Sequence, residues 1–330
     1  MLEHGGRLLR AVRQYGIARE QWLDLSSGIA PWSFPIPPIP LEAWARLPET
    51  EDGLEQAARA YYGARQLLPV AGSQAAIQAL PLLRTACRVG VLAPCYAEHP
   101  YAWQRAGHQL LELDEAKVEA TLDSLDVLVL VNPNNPTGCR VPPERLLQWH
   151  ARLAARGGWL LVDEAFMDNT PADSVVGDAE RPGLIVLRSF GKFFGLAGVR
   201  LGFVAAERSL LLRLAELLGP WTVNGPTRVL AQASLADHAS QRMQVERCAA
   251  ASQRLAVLLE RAGLAPSGGC ELFQYVRCER ASQLHDFLAR RGILVRLFEQ
   301  PSALRLGLPA CEADELRLAQ ALAAYQKEMA

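Results

Sequence analysis

Four short segments of the chain carry residues that could do chemistry. Ser189-Phe190-Gly191-Lys192-Phe193-Phe194-Gly195 sets one lysine among three phenylalanines, with Arg200 a few residues on. Apolar neighbours strip water from an ammonium, lower its pKa and favour the neutral amine that adds to a carbonyl carbon. The same lysine also reads as one that snorkels to solvent. Asp163-Glu164 follows the apolar run 159–162. A carboxylate at the end of a buried strand is costly unless it meets a cation or several donors, although a helix cap or a surface acid fits the same spot. Ala71-Gly72-Ser73-Gln74-Ala75 reads as a turn that opens a helix. Such a turn offers backbone N–H groups and a positive dipole end to an anion, or is a plain capped helix start. Asn132-Pro133-Asn134-Asn135-Pro136-Thr137-Gly138 ends the run Val127–Val131. Its prolines stop the strand and its asparagine amides can donate and accept, though the same residues build ordinary turns.

The elements that must position these segments are legible as short apolar runs at 89–93, 127–131, 159–162, 184–187 and 201–204, with helical stretches such as 143–155 between several of them. That alternation predicts an α/β fold, a mostly parallel sheet covered by helices on both faces. Ligands in such sheets bind beyond the carboxyl ends of the strands, where the four segments fall. Leu54, Ala57, Ala58, Tyr61 and Tyr62 mark one face of a helix, and Ser73 is a candidate cap for a helix through Ile77 and Leu80. Five of the eleven residues 30–40 are proline, which predicts a stiff extended connector. A long helical stretch is expected over 230–262. The tail then reads strand 271–276, helix 284–291, strand 293–297, strand 303–308 and helix 313–327, a small α+β unit. The expected division is an N-terminal arm and connector at 1–40, a large domain at 41–235 and a small domain at 236–330.

Composition narrows the function classes. The 330 residues include 34 Lys plus Arg and 35 Asp plus Glu, a net charge of −1. That balance removes the long-range pull on a polyanion, so no nucleic-acid partner is expected, while a local basic pocket for one small anion stays open. No apolar run approaches the roughly 18 residues of a membrane span, so no membrane association is expected. Met-Leu-Glu-His-Gly-Gly-Arg at the start has neither a basic nor an apolar leader segment, which predicts a cytoplasmic protein. The seven cysteines form no Cys-x-x-Cys pair, and the histidines no His-Glu-x-x-His, so neither a disulfide framework nor a metal site is expected.

Taken together the segments are more specific than any one of them. Asn135 precedes Asp163 by 28 residues, and Asp163 precedes Lys192 by 29. In this order and spacing the chain resembles the fold-type I pyridoxal-phosphate enzymes, the aspartate-aminotransferase superfamily. The resemblance implies a large cofactor-binding domain, a small α+β domain, a homodimer and pyridoxal 5′-phosphate. It implies Lys192 as the Schiff-base lysine, Asp163 as the partner of the pyridine nitrogen and Asn135 as a donor to the ring's O3′. Gly72, Ser73 and Gln74, with Ser189 and Arg200, would cup the cofactor phosphate. Tyr96, in Pro94-Cys95-Tyr96-Ala97-Glu98, would stack on the ring. Arg305, in Leu304-Arg305-Leu306-Gly307, would clamp the substrate's α-carboxylate.

Within the superfamily the chain is similar to the branch that decarboxylates L-threonine O-3-phosphate in cobalamin biosynthesis, a sister of the histidinol-phosphate aminotransferases. His4-Gly5-Gly6, Pro220-Trp221-Thr222-Val223-Asn224 and Gly292-Ile293-Leu294-Val295-Arg296 carry that likeness. It implies a small phosphorylated amino acid as substrate, with His4 and Arg296 on its phosphate. Read alone, His4-Gly5-Gly6 is a loose tail. An aminotransferase of the sister branch shares every cofactor residue, and a non-catalytic cofactor-binding regulator is a further alternative, although such regulators usually carry a DNA-binding domain. Two departures stand out. Leu47-Pro48-Glu49 replaces a Tyr-Pro-Asp stretch that reaches the cofactor phosphate across the dimer interface in many relatives, and Phe166 stands where aminotransferases often have tyrosine.

Overall fold

The computed structural model describes residues 3–329; Met1 and Leu2, which the expected arm includes, and Ala330 lie outside the described residues. The chain forms two compact units, one of residues 34–135 and 139–242, the other of the remaining segments.

The first unit is built on a seven-stranded sheet in the order Leu68–Val70, Gly202–Ala205, Leu184–Ser189, Trp159–Asp163, Val127–Val131, Arg88–Leu92, Gln109–Leu113. The strands from Leu184–Ser189 to Gln109–Leu113 pair in parallel, and Gly202–Ala205 runs antiparallel to both its neighbours. Every residue of Val127–Val131, Trp159–Asp163 and Leu184–Ser189 is buried, as continuous apolar strands covered on both faces must be. Helix Pro143–Ala154 buries Leu146, Trp149, His150 and Leu153, one stripe at helical spacing. Parallel pairing brings Val131, Asp163 and Ser189 to one edge of the sheet, where the chemically suggestive segments begin.

Two local expectations change here. Gly72, not Ser73, is the cap position of helix Ser73–Ala79, with φ +72 and no side-chain cap. The stretch expected as one helix over 230–262 is two, Gly225–Ala236 and His238–Arg261, interrupted at Asp237 with ψ 76. Asn224 caps the first through its side chain, and Asp237 accepts the amide of Ser240 at 3.0 Å to start the second.

The second unit holds a four-stranded antiparallel sheet in the order Arg296–Phe298, Ala303–Gly307, Phe273–Arg277, Gly268–Cys270. A separate parallel pair joins Leu23–Asp24 to Ile293–Leu294. The strand expected at 271–276 runs over Phe273–Arg277, because Glu271 and Leu272 turn the chain back from Gly268–Cys270, the strand it pairs with. The strand expected at 293–297 divides at Val295 and serves two sheets. The helices of this tail run over Ala281–Ala289 and Glu312–Met329. No helix among the described residues is long and apolar enough to cross a membrane.

Candidate active site

Tyr96, Asn135 and Asp163 line one cavity of about 140 Å³ together with Ser189, Lys192 and Arg200, and Gly72-Ser73-Gln74 closes it. All nine belong to the larger unit.

Asp163 ends its strand 3 % exposed. Its Oδ2 lies 2.8 Å from Nε2 of the fully buried His99, and its Oδ1 accepts the amide of Ala165 at 3.1 Å. An ionised carboxylate has four acceptor sites, so two remain for a donor in the cavity. His99 belongs to no motif that the sequence displays; it sits three residues after Tyr96, at the start of helix Glu98–Arg105.

Strand geometry sends Glu164 to the opposite face from Asp163. There its carboxylate accepts from Arg188 Nη1 at 2.9 Å, from the Ser174 hydroxyl and from the Val175 amide at 2.9 Å. Arg188 also pairs with Asp168 at 3.2 Å, and the Tyr61 hydroxyl donates to the same carboxylate at 3.1 Å. Burial pushes both carboxyl groups above their ordinary pKa, against the opposing charge of Arg188. Two adjacent acids thus have separate fates: one faces the cavity, the other anchors a buried ion network behind it.

The three asparagines of the turn also divide their labour. Asn132 is fully buried and its side chain exchanges two hydrogen bonds with the backbone of Val141, at 2.9 and 3.1 Å. Asn134 Nδ2 donates to the carbonyl of Pro94 at 2.8 Å. Asn135 is the one that lines the cavity.

Lys192 is half-buried on the short helix Phe190–Phe193. The ring of Phe166, which lines the same cavity, has its centroid 5.8 Å from Nζ. Phe190 and Phe194 stack on each other at 4.3 Å and Phe193 meets Phe194 edge-on, so these three form a buried aromatic cluster, two of them on the lysine's own helix.

The Tyr96 hydroxyl donates to Gln74 Oε1 at 3.1 Å, and Gln74 Nε2 donates to Glu98 at 2.8 Å. The Gln74 side chain is therefore committed to its neighbours, and what it offers an anion is its backbone N–H. Burial, with the charges of Glu98 and Asp163, pushes the Tyr96 phenol up to about 12, so it stays protonated. At the cup, a Cβ on Gly72 would lie 2.6 Å from Arg200 Nη2, and one on Gly202 would lie 2.5 Å from the Ser73 nitrogen. The bare glycines thus let the Arg200 guanidinium pack against Gly72 and the Ser73 N–H against Gly202. Gly202 is a site residue outside the four segments, and its place directly after Arg200-Leu201 is its one signal in the sequence. Arg200 itself is left-handed, with φ 56.

These residues fit pyridoxal phosphate. The cup presents cationic and N–H donors with room left by missing side chains, a buried carboxylate has free acceptor sites, and the amine of Lys192 lines the same cavity.

His4, Arg296 and Arg305 belong to the smaller unit. Arg296 and Arg305 are register partners across neighbouring strands. Arg305 is buried, donates to the Ser26 carbonyl at 3.1 Å and lies over the Phe273 ring; burial, with the charge of Arg296, lowers its pKa to about 10. His4 and Arg296 line a second cavity of about 530 Å³. The arm that carries His4 is fastened: the Gly6 amide donates to Ser26 Oγ at 2.7 Å, and a Cβ on Gly5 would lie 2.2 Å from the Ser26 carbonyl oxygen.

The model of the class I and II aminotransferase family matches residues 43–322. The threonine-phosphate decarboxylase of Pseudomonas aeruginosa is 64 % identical over 327 residues, 99 % of both chains. That of a Sinorhizobium species is 43 % identical, covering 97 % of both. Among solved structures, histidinol-phosphate aminotransferase from Sinorhizobium meliloti in complex with pyridoxal-5′-phosphate superposes with a TM-score of 0.85, covering 100 % of this chain and 96 % of that one at 21 % identity. The chain belongs to the class I and II aminotransferase family, and within it to the group of the threonine-phosphate decarboxylases.

Proposed function

We propose that this protein is a pyridoxal-phosphate enzyme that converts L-threonine O-3-phosphate to (R)-1-aminopropan-2-yl phosphate and CO₂, a step of cobalamin biosynthesis. The observation that carries the substrate assignment is the pairing of Arg296 with Arg305 in one register position, with His4 sharing a cavity with Arg296. Two separate cationic points suit a substrate with two anionic ends.

Lys192 would hold the cofactor at its aldehyde carbon, Gly72, Ser73, Gln74, Ser189 and Arg200 its phosphate, Asn135 its O3′ and Tyr96 the face of its ring. When bound, pyridoxal phosphate supplies a sink for the electron pair left on the substrate's Cα. Asp163 would hold the ring nitrogen in its protonated form, and His99 fixes how Asp163 is aimed. Arg305 binds the α-carboxylate, while Arg296 and His4 bind the phosphate. Fixing both ends decides which bond to Cα is weakened, because binding is spent on one transition state. Lys192 Nζ would also be the group that returns a proton to Cα.

The division into an arm and connector at 1–40, a large domain at 41–235 and a small domain at 236–330 goes with this reading, as does a cytoplasmic location. So does a homodimer, supported by Leu41, Trp44 and Leu47, which are 80, 65 and 64 % exposed on one short stretch. Leu47 stands where the resemblance implies a tyrosine that crosses to the partner, so in this dimer that contact is lost or supplied by another residue. Sedimentation would detect the dimer.

The test of function is product analysis of the purified holoenzyme. Release of CO₂ from threonine phosphate, with much slower release from threonine, is the expected result. Sustained amino transfer from glutamate or histidinol phosphate without CO₂ would place the protein with the aminotransferases instead.

A further inference from the structure

Three guanidinium groups converge on one residue of the N-terminal arm. Glu3 Oε1 accepts from Arg10 Nη1 at 2.8 Å and from Arg7 Nη1 at 3.4 Å, and the Glu3 carbonyl accepts from Arg296 Nη2 at 2.7 Å. Glu3, Arg7, Arg10 and Arg296 all line the cavity that also holds His4. The only other carboxylate lining this cavity among the described residues is Glu299. Three permanent cations therefore face two acids, and Glu3 is the acid bound to the cations. The Glu3–Arg10 pair is more than half exposed on both sides. Exposed pairs of this kind are weak and cheap to exchange. A phosphate monoester near neutrality carries close to two charges and three acceptor oxygens, against one charge and two oxygens for a carboxylate.

We propose that Glu3 is an internal competitor in the phosphate site: it occupies Arg7 and Arg10, and a phosphate monoester takes these two guanidiniums in its place. Arg7 and Arg10 thereby join His4 and Arg296 as phosphate ligands, and Glu3 sets how tightly the anion is held. This rests on reading the cavity as the substrate-phosphate site. Glu3 and Arg7 lie within three residues of His4 on the fastened arm, so an exchange of partners needs side-chain rotation and no rearrangement of the backbone. Arg296 reaches Glu3 only at its carbonyl, which leaves the other N–H groups of its fork for the ligand.

The probe is inorganic phosphate, titrated calorimetrically into the holoenzyme at fixed ionic strength, so that the cofactor's own phosphate cup is already filled. Glu3→Gln should tighten phosphate binding about 3- to 5-fold, the range expected for releasing an exposed ion pair. Arg10→Gln should weaken it several-fold, and in the double variant the gain from Glu3→Gln should shrink to less than about twofold. Unchanged or weaker phosphate binding in Glu3→Gln overturns the proposal, as does an Arg10→Gln variant that binds like wild type or a wild type that binds no phosphate. The reaction is judged separately: a protein that shows the Glu3 effect but releases no CO₂ from threonine phosphate keeps this inference and loses the decarboxylase assignment.

Discussion

His99 Nε2 lies 2.8 Å from Asp163 Oδ2, and both side chains are closed to solvent. The carboxylate accepts, so the imidazole donates, and the pair fixes how Asp163 presents its remaining lone pairs. The neighbouring Glu164 turns away into the network with Arg188. Substitutions at the two acids should therefore separate activity from stability. Asp163→Asn should lower turnover a hundredfold or more, at about 3 kcal/mol of transition-state stabilisation, with little change in Tm. Glu164→Gln should lower stability by about 2 kcal/mol, as expected for weakening a buried charged hydrogen bond, while the folded enzyme keeps most of its turnover. Kinetics and thermal melts of both variants check this, and equal kinetic effects would contradict it.

The interlock of Gly72 with Arg200 should be intolerant of a single methyl group. Gly72→Ala places a Cβ 2.6 Å from the guanidinium and forces a side chain into φ +72. A strain of about 1–3 kcal/mol is expected, and its release should push Arg200 out of the cup. Cofactor affinity, followed by fluorescence titration of the apoenzyme, should fall roughly tenfold or more.

Gly5→Ala tests the arm without deleting it. The added Cβ would sit 2.2 Å from the Ser26 carbonyl oxygen, so residues 3–6 must move. KM for threonine phosphate should rise several-fold while cofactor content stays at the wild-type level. An unchanged KM would return the arm to the status of a tail.

Asp52 offers a stability test at acid pH. Arg228 grips it through Nε and Nη2, both at 2.6 Å. Burial pushes the Asp52 carboxyl up, but hydrogen bonds from Arg228 and the Leu54 amide outweigh it, and the net shift is below the ordinary value. A depressed pKa means that the folded state binds this proton less readily than the unfolded chain. The resulting stability is present above the unfolded pKa and lost as pH falls through the folded one. Asp52→Asn should flatten the acid limb of a Tm-against-pH curve relative to wild type.

The sequence made the alternating α/β layout legible because the strands are continuous apolar runs, and order and spacing tied Asn135, Asp163 and Lys192 together. Other features needed coordinates. The lysine's apolar neighbour is Phe166, 26 residues away along the chain, and the flanking phenylalanines turn to the core. His99 looks like an ordinary helix residue until the strand of Asp163 is beside it. The helix break at Asp237 and the hairpin turn at Glu271-Leu272 were hidden because their residues suit helix or strand composition, and pairing decides such cases.

The division of residues 293–298 has a consequence for how the smaller unit breathes. Ile293 and Leu294 hydrogen-bond with the strand Leu23–Asp24, and three residues later the same stretch zips onto Ala303–Gly307. Arg296 sits at the joint. To swing this cation away, the chain would have to open one pairing or the other, and Val295 between them is itself buried. Amide protons on both sides of the joint should then exchange with solvent late and in concert, leaving the exposed side chains of the arm as the fast-moving part of the cavity wall.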